Sequence, residues 1–255
     1  MTGAAPTVPV PAVSVIVPFR NAAATLGATL DSLAAQSLPD WEALLIDDAS
    51  EDAGPALAAA RVAADPRFRL IRTGARAGVA GARNLGIRAA RGRWLACLDA
   101  DDLWLPDKLA LQLPVLRQGA PLVFSSYARV DAAGRVLRVV EARAHLCHAD
   151  MLAGNPIGCL TAIWDSQRFA GAEFPALPLH EDYAFWLQLL RTGACAVGLR
   201  PVLARYRVGA GSHSGQKLRA ARATWSILRD EPGVGPWRAA TGFARYALKA
   251  VRHRL

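Results

Sequence analysis

Long apolar runs and two glycine motifs are missing from this chain. No stretch of about eighteen apolar residues occurs, so we expect no membrane-spanning helix. No Gly-x-Gly-x-x-Gly follows the first apolar segment, which argues against a dinucleotide-binding turn. No Gly-x-x-x-x-Gly-Lys occurs either, which argues against a P-loop.

Cysteine is also scarce, with four in 255 residues and no Cys-x-x-Cys pair. The N-terminus has no basic start followed by an apolar core, so we expect no secretory signal and reduced thiols. His145, Cys147 and His148 lie close together, but a second group at zinc-finger spacing is missing. We therefore predict no zinc site there.

Positive charge is concentrated at the C-terminus. The formal net charge is +9, and from Lys217 onward nine basic residues face two acidic ones. The rest of the chain is nearly neutral, and its 53% hydrophobic and 20% charged residues are typical of a folded protein. Such a tail suits an anionic membrane surface or an acidic partner. No nucleic-acid-binding motif accompanies it, so we do not expect a nucleic-acid partner.

The first half alternates between short apolar segments and helical patterns. We predict strands at residues 13–17, 41–46, 67–71, 93–98 and 122–124. Between them we predict helices, the first capped by Asn21, the second by Ser50, and two more at 78–91 and 106–116. This alternation predicts an α/β fold with a mostly parallel sheet and helices on both faces.

The second half is less regular. We predict a hairpin over residues 129–140, a strand at 161–164 and a helix at 180–191. Strand segments between 196 and 208 should be broken by Pro201, because proline has no N–H for the ladder. The tail should be helical with a break at residues 232–233, which are Pro-Gly.

Acidic residues follow two of the predicted strands. Asp47 and Asp48 end one strand, and Asp99, Asp101 and Asp102 follow another. In parallel sheets, ligands bind outside the carboxyl ends of the strands. Carboxylates this close repel one another, so a hard divalent cation is a natural partner. The alternative is a solvated acidic loop, which a preceding buried strand disfavours.

Five segments occur in an order that resembles family 2 glycosyltransferases. They are residues 13–21, 46–50, 78–86, 98–102 and 181–187, and the resemblance extends from about residue 13 to residue 214. It implies the GT-A fold, a nucleotide-sugar donor and transfer with inversion of the anomeric centre. It also implies a nucleotide-sugar-binding half at 12–125 and an acceptor-side half at 126–216. A flexible leader at 1–11 and a basic helical extension at 217–255 would complete the chain.

The resemblance also implies donor-binding residues. Asp48 would accept a hydrogen bond from the ring N–H of uracil, thymine or guanine, and Pro18 would line the nucleoside pocket through its backbone. Arg83 and Asp99 would lie near the donor diphosphate and sugar, since arginine suits phosphate oxygens. The alternatives are structural: a loop-solvating Asp48, a strand-ending Pro18, and an Arg83 paired with an acid at the surface.

Metal binding and base catalysis would come from three further acids. Asp101 and Asp102 would hold Mg²⁺ or Mn²⁺, with Asp101 also contributing to donor binding, because oxygen ligands and a diphosphate suit hard cations. Asp182 would be the general base that takes the proton of the acceptor hydroxyl. At a helix N-terminus its pKa should stay low. The alternative for Asp182 is an N-cap aspartate.

One departure from the family pattern concerns the metal site. Family members often carry Tyr-Arg-x-His near the end of the domain, and here Gly209 takes the place of the histidine. His213 is a candidate substitute, with a loop histidine as the alternative, and Ser212 and Ser214 could order a lid. On the acceptor side, residues 155–157 and 174–179 should border the site.

The sequence therefore predicts an inverting, metal-dependent glycosyltransferase. It would move a sugar from a UDP-, dTDP- or GDP-sugar to a hydroxyl acceptor, either lipid-linked or glycan, in surface polysaccharide or glycolipid synthesis. We expect a cytoplasmic protein, with the basic tail allowing peripheral association with the inner face of the membrane. The alternatives are a sugar nucleotidyltransferase, whose glycine-rich first turn is missing, and a nucleotide-sugar-binding module without turnover.

Overall fold

A computed structural model describes residues 10–208 and 214–252. Four strands of the first half are parallel and alternate with three helices. The strands are β1 (Val13–Phe19), β2 (Trp41–Asp47), β3 (Phe68–Arg72) and β4 (Trp94–Cys97), and the helices are α1 (Leu26–Ala34), α2 (Gly54–Ala64) and α3 (Gly78–Ala89). In space the strand order is β3-β2-β1-β4. The predicted α/β alternation is confirmed.

The second half extends the same sheet. Its strands are β5 (Leu103–Trp104), β6 (Leu122–Val130), β7 (Val136–Val140), β8 (His145–Cys147), β9 (Ile163–Asp165) and β10 (Cys195–Arg207), and its helices are α4 (Lys108–Arg117), α5 (His148–Met151) and α6 (Glu181–Leu190), with a 3-10 turn at Cys159–Thr161. The sheet continues from β4 through β9, β6 and β10 to β5. β9 is antiparallel to both of its neighbours, and β6 and β7 form the predicted hairpin.

Apolar layers cover both faces of the sheet because its central strands alternate their side chains. Val15 and Val17 of β1 face a core that contains Leu26, Leu30 and Leu33, the predicted buried face of α1. Other strand residues face a second core around the aromatic residues of α6 and β9. Tyr183, Phe185, Trp186 and Trp164 are all at most 1% exposed there.

Both predicted helix caps in the first half are wrong. Asn21 is left-handed, with φ of 49°, and α1 begins five residues later at Leu26. The Asn21 side chain accepts a hydrogen bond from the Glu51 N–H at 2.8 Å, and Ser50 Oγ accepts one from the Asn21 N–H at 3.1 Å. The two side chains therefore join the loops after β1 and β2, where polar groups of one loop satisfy those of the other.

The prediction of reduced thiols is wrong for one pair. Cys147 on β8 and Cys195 on β10 form a disulfide across 48 residues of sequence. They are opposed in the antiparallel pairing of these strands, which brings their Cα atoms to 4.3 Å. His148, next to this disulfide, pairs with Glu231 at 3.0 Å. Cys97 and Cys159 are free and buried.

β10 runs through Pro201 without ending. In place of the predicted break at Pro201, the pairing register of β10 against β6 shifts between Leu199 and Val202. The missing N–H of Pro201 lies at this shift, so a proline is tolerated inside a long strand.

The predicted helical tail is confirmed. It consists of α7 (Ser214–Asp230) and α8 (Pro236–Arg252), and the chain turns between them at residues 231–235. Among the described helices, none is both long enough and apolar enough to span a bilayer. The predicted leader lies outside the described residues except for positions 10 and 11.

Candidate active site

A cavity of about 300 Å³ opens near the carboxyl ends of the parallel strands. It brings together four of the predicted site residues, which lie on different elements: Arg83 on α3, Asp99 and Asp102 after β4, and Asp182 on α6. Pro18, Asp48 and Asp101 do not line this cavity. Strand order explains why these residues lie close together, because the ends of neighbouring parallel strands share one edge of the sheet.

Arg83 forms the centre of an ion-pair network in the cavity wall. Its side chain is 3% exposed, and its two terminal nitrogens donate to Glu181 Oε1 and Asp99 Oδ1, each at 2.6 Å. The guanidinium also lies 5.2 Å from the centre of the Phe174 ring. Its Nε has no partner among the described residues. The arginine is thus paired with acids, but inside the site and not at the surface.

Glu181 is a site residue to which sequence reasoning assigned no role. It lies in the first turn of α6 and binds an arginine 98 positions earlier in the chain. Its adjacency to Asp182 was the available signal, because two neighbouring carboxylates repel each other and a nearby cation offsets that repulsion. Asn84 next to Arg83 is structural. Its side chain exchanges two hydrogen bonds with the backbone of Phe174.

Asp182 is partly buried at the start of α6, after a left-handed His180 with φ of 63°. It is not the N-cap residue. Its Oδ1 accepts from the Tyr183 N–H at 2.7 Å, and its Oδ2 accepts from the Asn155 side-chain amide at 3.0 Å. Burial raises its pKa to about 6, and the charge of Glu181 adds to the effect. The expectation of a low pKa is wrong, because desolvation outweighs the helix N-terminus.

Asp102 is the most buried of the clustered acids. It is 1% exposed, and its Oδ1 accepts a hydrogen bond from the Arg207 N–H at 3.0 Å. Burial and the charge of Asp99 raise its pKa to about 8. The Thr29 hydroxyl bonds the carbonyls of Ala100 and Asp102, which holds this turn in place. Asp101 lies in the same turn and is exposed.

A hard cation suits these carboxylates, although they do not make a complete metal site. Among residues 10–208 and 214–252, no group of three His, Cys, Asp or Glu side chains is arranged to hold an ion. Asp101 and Asp102 both have raised pKa values, because desolvation, which is only partial at Asp101, and the charge of Asp99 outweigh the opposing charge of Arg207. A cation would relieve this repulsion, with a donor diphosphate and water supplying further oxygens. Gly209, Ser212 and His213 lie outside the described residues, as does the side chain of Ser214.

Asp48 lies at the end of β2 and is 5% exposed. Its carboxylate accepts hydrogen bonds from the N–H groups of Ala77 at 2.6 Å and Gly78 at 3.0 Å, at the start of α3. It therefore anchors a helix N-terminus in this structure. Pro18 is buried in β1, where it is opposite Ile46 of β2. The predicted donor-binding roles of both residues stay predictions.

The acceptor-side segments differ from each other. Asn155 and Ile157 line the cavity, and Asn155 bonds Asp182 directly. Phe174 is in the core, stacked on Phe185 at 4.0 Å, and residues 175–179 border a different groove on α6 and α7.

The sequence matches a known family model over residues 14–206, under the description glycosyl transferase family 2. The chain belongs to this family. It is 34% identical over 247 residues to TuaG of Bacillus subtilis, named as a teichuronic acid biosynthesis glycosyltransferase, with 96% of this chain and 98% of TuaG covered. It is 30% identical over 220 residues to WfgD of Escherichia coli, covering 86% and 85%. WfgD is named a UDP-Glc:alpha-D-GlcNAc-diphosphoundecaprenol beta-1,3-glucosyltransferase.

Solved structures confirm the GT-A type fold of this glycosyltransferase. S. aureus TarS, determined with UDP-GlcNAc, superposes with a TM-score of 0.71 at 17% identity, covering 92% of this chain and 71% of TarS. The mannosyltransferase PcManGT of Pyrobaculum calidifontis, determined with GDP-Man and Mn²⁺, gives 0.67 at 23% identity, covering 94% and 75%. The family match and the named relatives, not the structural similarity, answer the choice between sugar transfer and nucleotidyl transfer in favour of sugar transfer.

Proposed function

We propose that this glycosyltransferase moves a sugar, with inversion, from a UDP-, dTDP- or GDP-sugar to the hydroxyl of a lipid-linked glycan in surface polysaccharide or glycolipid synthesis. The observation that carries the proposal is Asp182. It lies in the wall of the cavity, both of its oxygens are held by hydrogen bonds, and its pKa is raised to about 6. A carboxylate near this pKa is ionised at neutral pH and is still basic enough to accept a proton.

In the reaction, Asp182 takes the proton of the acceptor hydroxyl as the oxygen attacks the anomeric carbon. A new bond forms between that oxygen and the anomeric carbon, while the bond from this carbon to the donor diphosphate breaks on the opposite side. Because attack and departure are in line, the anomeric configuration inverts. Asn155 and the Tyr183 N–H orient the carboxylate, and each of its oxygens keeps a lone pair for the acceptor proton.

The donor would lie along the edge formed by the ends of β1, β2 and β4. Asp48 and Pro18 would contact the nucleoside, with Asp48 sharing its oxygens between the base and the start of α3. Arg83 and Asp99 would face the diphosphate and the sugar. WfgD, which is named for a UDP-Glc donor, supports a UDP-sugar as the first of the three donors to test.

The reaction also requires that the negative charge developing on the leaving group be stabilised. Asp101 and Asp102 would hold Mg²⁺ or Mn²⁺, and a divalent cation bound there would offset the charge that develops on the departing nucleoside diphosphate. Asp102 would have to lose the proton that its raised pKa favours, and a nearby cation promotes this loss.

The names of the relatives favour a lipid-linked acceptor. WfgD is named for an undecaprenol diphosphate-linked GlcNAc, and TuaG for teichuronic acid biosynthesis. We propose an acceptor of the same class, a sugar carried on a lipid diphosphate. The proposal includes a cytoplasmic location at the inner face of the membrane.

A donor panel tests the proposal. UDP-, dTDP- and GDP-sugars are incubated with a lipid diphosphate-linked acceptor and Mn²⁺, the release of nucleoside diphosphate is measured, and NMR gives the anomeric configuration of the product. Asp182→Asn should lower transfer by about 10²–10⁴-fold. Asp65→Asn, on the loop before β3 and so at the opposite edge of the sheet, should keep it. Full transfer by Asp182→Asn would contradict the base assignment, and failure of every nucleotide sugar to bind would contradict the donor class.

A further inference from the structure

Helix α8 has a clear inner face that packs on the domain. Ala239 and Gly242 are buried, and Phe243 meets Trp225 of α7 with ring centres 5.5 Å apart. A Cβ on Gly242 would lie 2.5 Å from the carbonyl oxygen of Leu152, so α8 packs closely against the backbone at Leu152. The inner face accounts for only part of the helix surface.

The opposite face of α8 carries apolar side chains that the described residues leave largely exposed. Trp237 is 84% exposed and Leu248 is 62% exposed, with the exposed Ala244 between them. The spacing of seven and then four residues places the three on one line along the helix. An exposed tryptophan is unfavourable in water but well suited to the boundary between water and lipid, where its ring is buried and its N–H stays hydrated.

A basic line runs beside the apolar one. Arg238, Arg245 and Lys249 repeat the same spacing one residue later, which places them about 100° around the helix. All three are exposed, and α8 contains no acidic residue. Arg245 and Lys249 also line a cavity of about 420 Å³ together with Arg143 and a single acid, Asp150. The surface next to the apolar line is therefore positive and suits anionic groups.

We propose that α8 is a membrane-docking helix that lies flat on an anionic lipid bilayer. Trp237 and Leu248 enter the boundary between headgroups and acyl chains, while Arg238, Arg245 and Lys249 bind acidic headgroups. An amphipathic helix with basic residues beside a tryptophan is the kind of element that binds in this plane. Because the helix is positively charged, it is attracted to acidic headgroups, and this attraction weakens as salt is added.

The docking helix is connected to the candidate active site through residues 153–155. The Tyr246 ring lies 3.1 Å from where a Cβ on Gly154 would be, and Lys249 Nζ donates to the Ala153 carbonyl at 3.3 Å. Asn155, the residue after Gly154, donates a hydrogen bond from its side-chain amide to Asp182 Oδ2. A docked α8 therefore holds the cavity close to the bilayer. This part of the inference rests on the proposed lipid-linked acceptor, whereas membrane binding itself does not.

Sedimentation with vesicles tests docking without any donor or acceptor. The full chain is mixed with vesicles of phosphatidylcholine alone or of equal parts phosphatidylcholine and phosphatidylglycerol. We expect binding to the anionic vesicles only. Neutralising Arg238, Arg245 and Lys249 to Gln should lower the partition coefficient about a hundredfold, since each charge near such a surface contributes about fivefold. The matched control neutralises Arg88, Arg117 and Arg168, which are exposed outside α7 and α8.

A second variant separates insertion from charge. Trp237→Ala with Leu248→Ala keeps every charge and changes only exposed side chains, so the fold should survive, as circular dichroism can check. We expect its binding to anionic vesicles to fall at least tenfold. Equal binding by this variant, equal losses in the two charge variants, or equal binding to neutral vesicles would each overturn the proposal. Failure of sugar transfer would leave these binding results intact, so the two proposals fail separately.

Discussion

The acidic side of the pH profile is the sharpest test of the site, because Asp182 alone should control it once a bound Mn²⁺ keeps Asp101 and Asp102 ionised. Asp182 must be ionised to accept a proton, and burial raises its pKa to about 6. At pH 5 about a tenth of the molecules would carry the ionised form, so kcat/KM should fall about tenfold from its neutral plateau. An ordinary aspartate would keep almost full activity at that pH.

Glu181→Gln changes this profile in a defined direction. The charge of Glu181 helps to raise the pKa of Asp182, so its removal should lower that pKa and move the acidic limb to lower pH. Glutamine retains an oxygen that can accept from Arg83, which preserves the hydrogen bond. Glu173→Gln removes an acid on the loop before Phe174, outside the cavity, and should leave the limb in place.

The assay is nucleoside diphosphate release at low donor concentration with Mn²⁺ present, from pH 4.5 to 8.5 at about 0.15 M ionic strength. If the acidic fall of kcat/KM in the unchanged protein has its midpoint near pH 4, the link between burial of Asp182 and its role as base is refuted. A shift to higher pH in Glu181→Gln would refute the electrostatic reasoning.

Stability provides a readout that does not depend on catalysis. Since the folded-state pKa of Asp182 lies above the ordinary carboxyl value, the folded state holds this proton more tightly than the unfolded chain does. Its contribution to stability therefore falls as pH rises from about 4 to 6. Asp182→Asn should be more stable than the unchanged protein at pH 7. This gain in the free energy of unfolding should be smaller at pH 4, and urea unfolding at the two pH values measures it.

Three further changes test packing and the buried network, with urea unfolding as the measurement. Gly86→Ala should cost about 1–3 kcal/mol, because its Cβ would lie 2.4 Å from Ile16 Cγ2, whereas Gly27→Ala has open space and should be neutral or slightly stabilising. Arg83→Met should cost roughly 3 kcal/mol or more by leaving Asp99 and Glu181 without their cation, and an unchanged midpoint would contradict the network. Cys195→Ser should lower stability by about 4 kcal/mol under oxidising conditions and have little effect in reductant, given the 48-residue loop that the disulfide closes.

Much of the architecture could be predicted because it depends on local patterns. Continuous apolar runs such as Val13–Phe19 identify strands buried on both faces, and helical segments between them require parallel pairing. The break between α7 and α8 follows from Pro-Gly, which is a local signal as well. The helix starts at Asn21 and Ser50 were wrong for a tertiary reason: each side chain satisfies the neighbouring loop, and no local pattern identifies that partner.

The sequence by itself determined the order of strands and helices, the family, and the placement of acids after β2 and β4, because all of these depend on near neighbours along the chain. Only the tertiary structure decided which distant groups meet. Arg83 and Glu181 are 98 positions apart, and Cys147 and Cys195 are 48 apart. The pKa of Asp182 likewise depends on the burial that these contacts create. Desolvation and ion pairing act through space over a few ångströms, so they are set by folding and have no signature in local sequence.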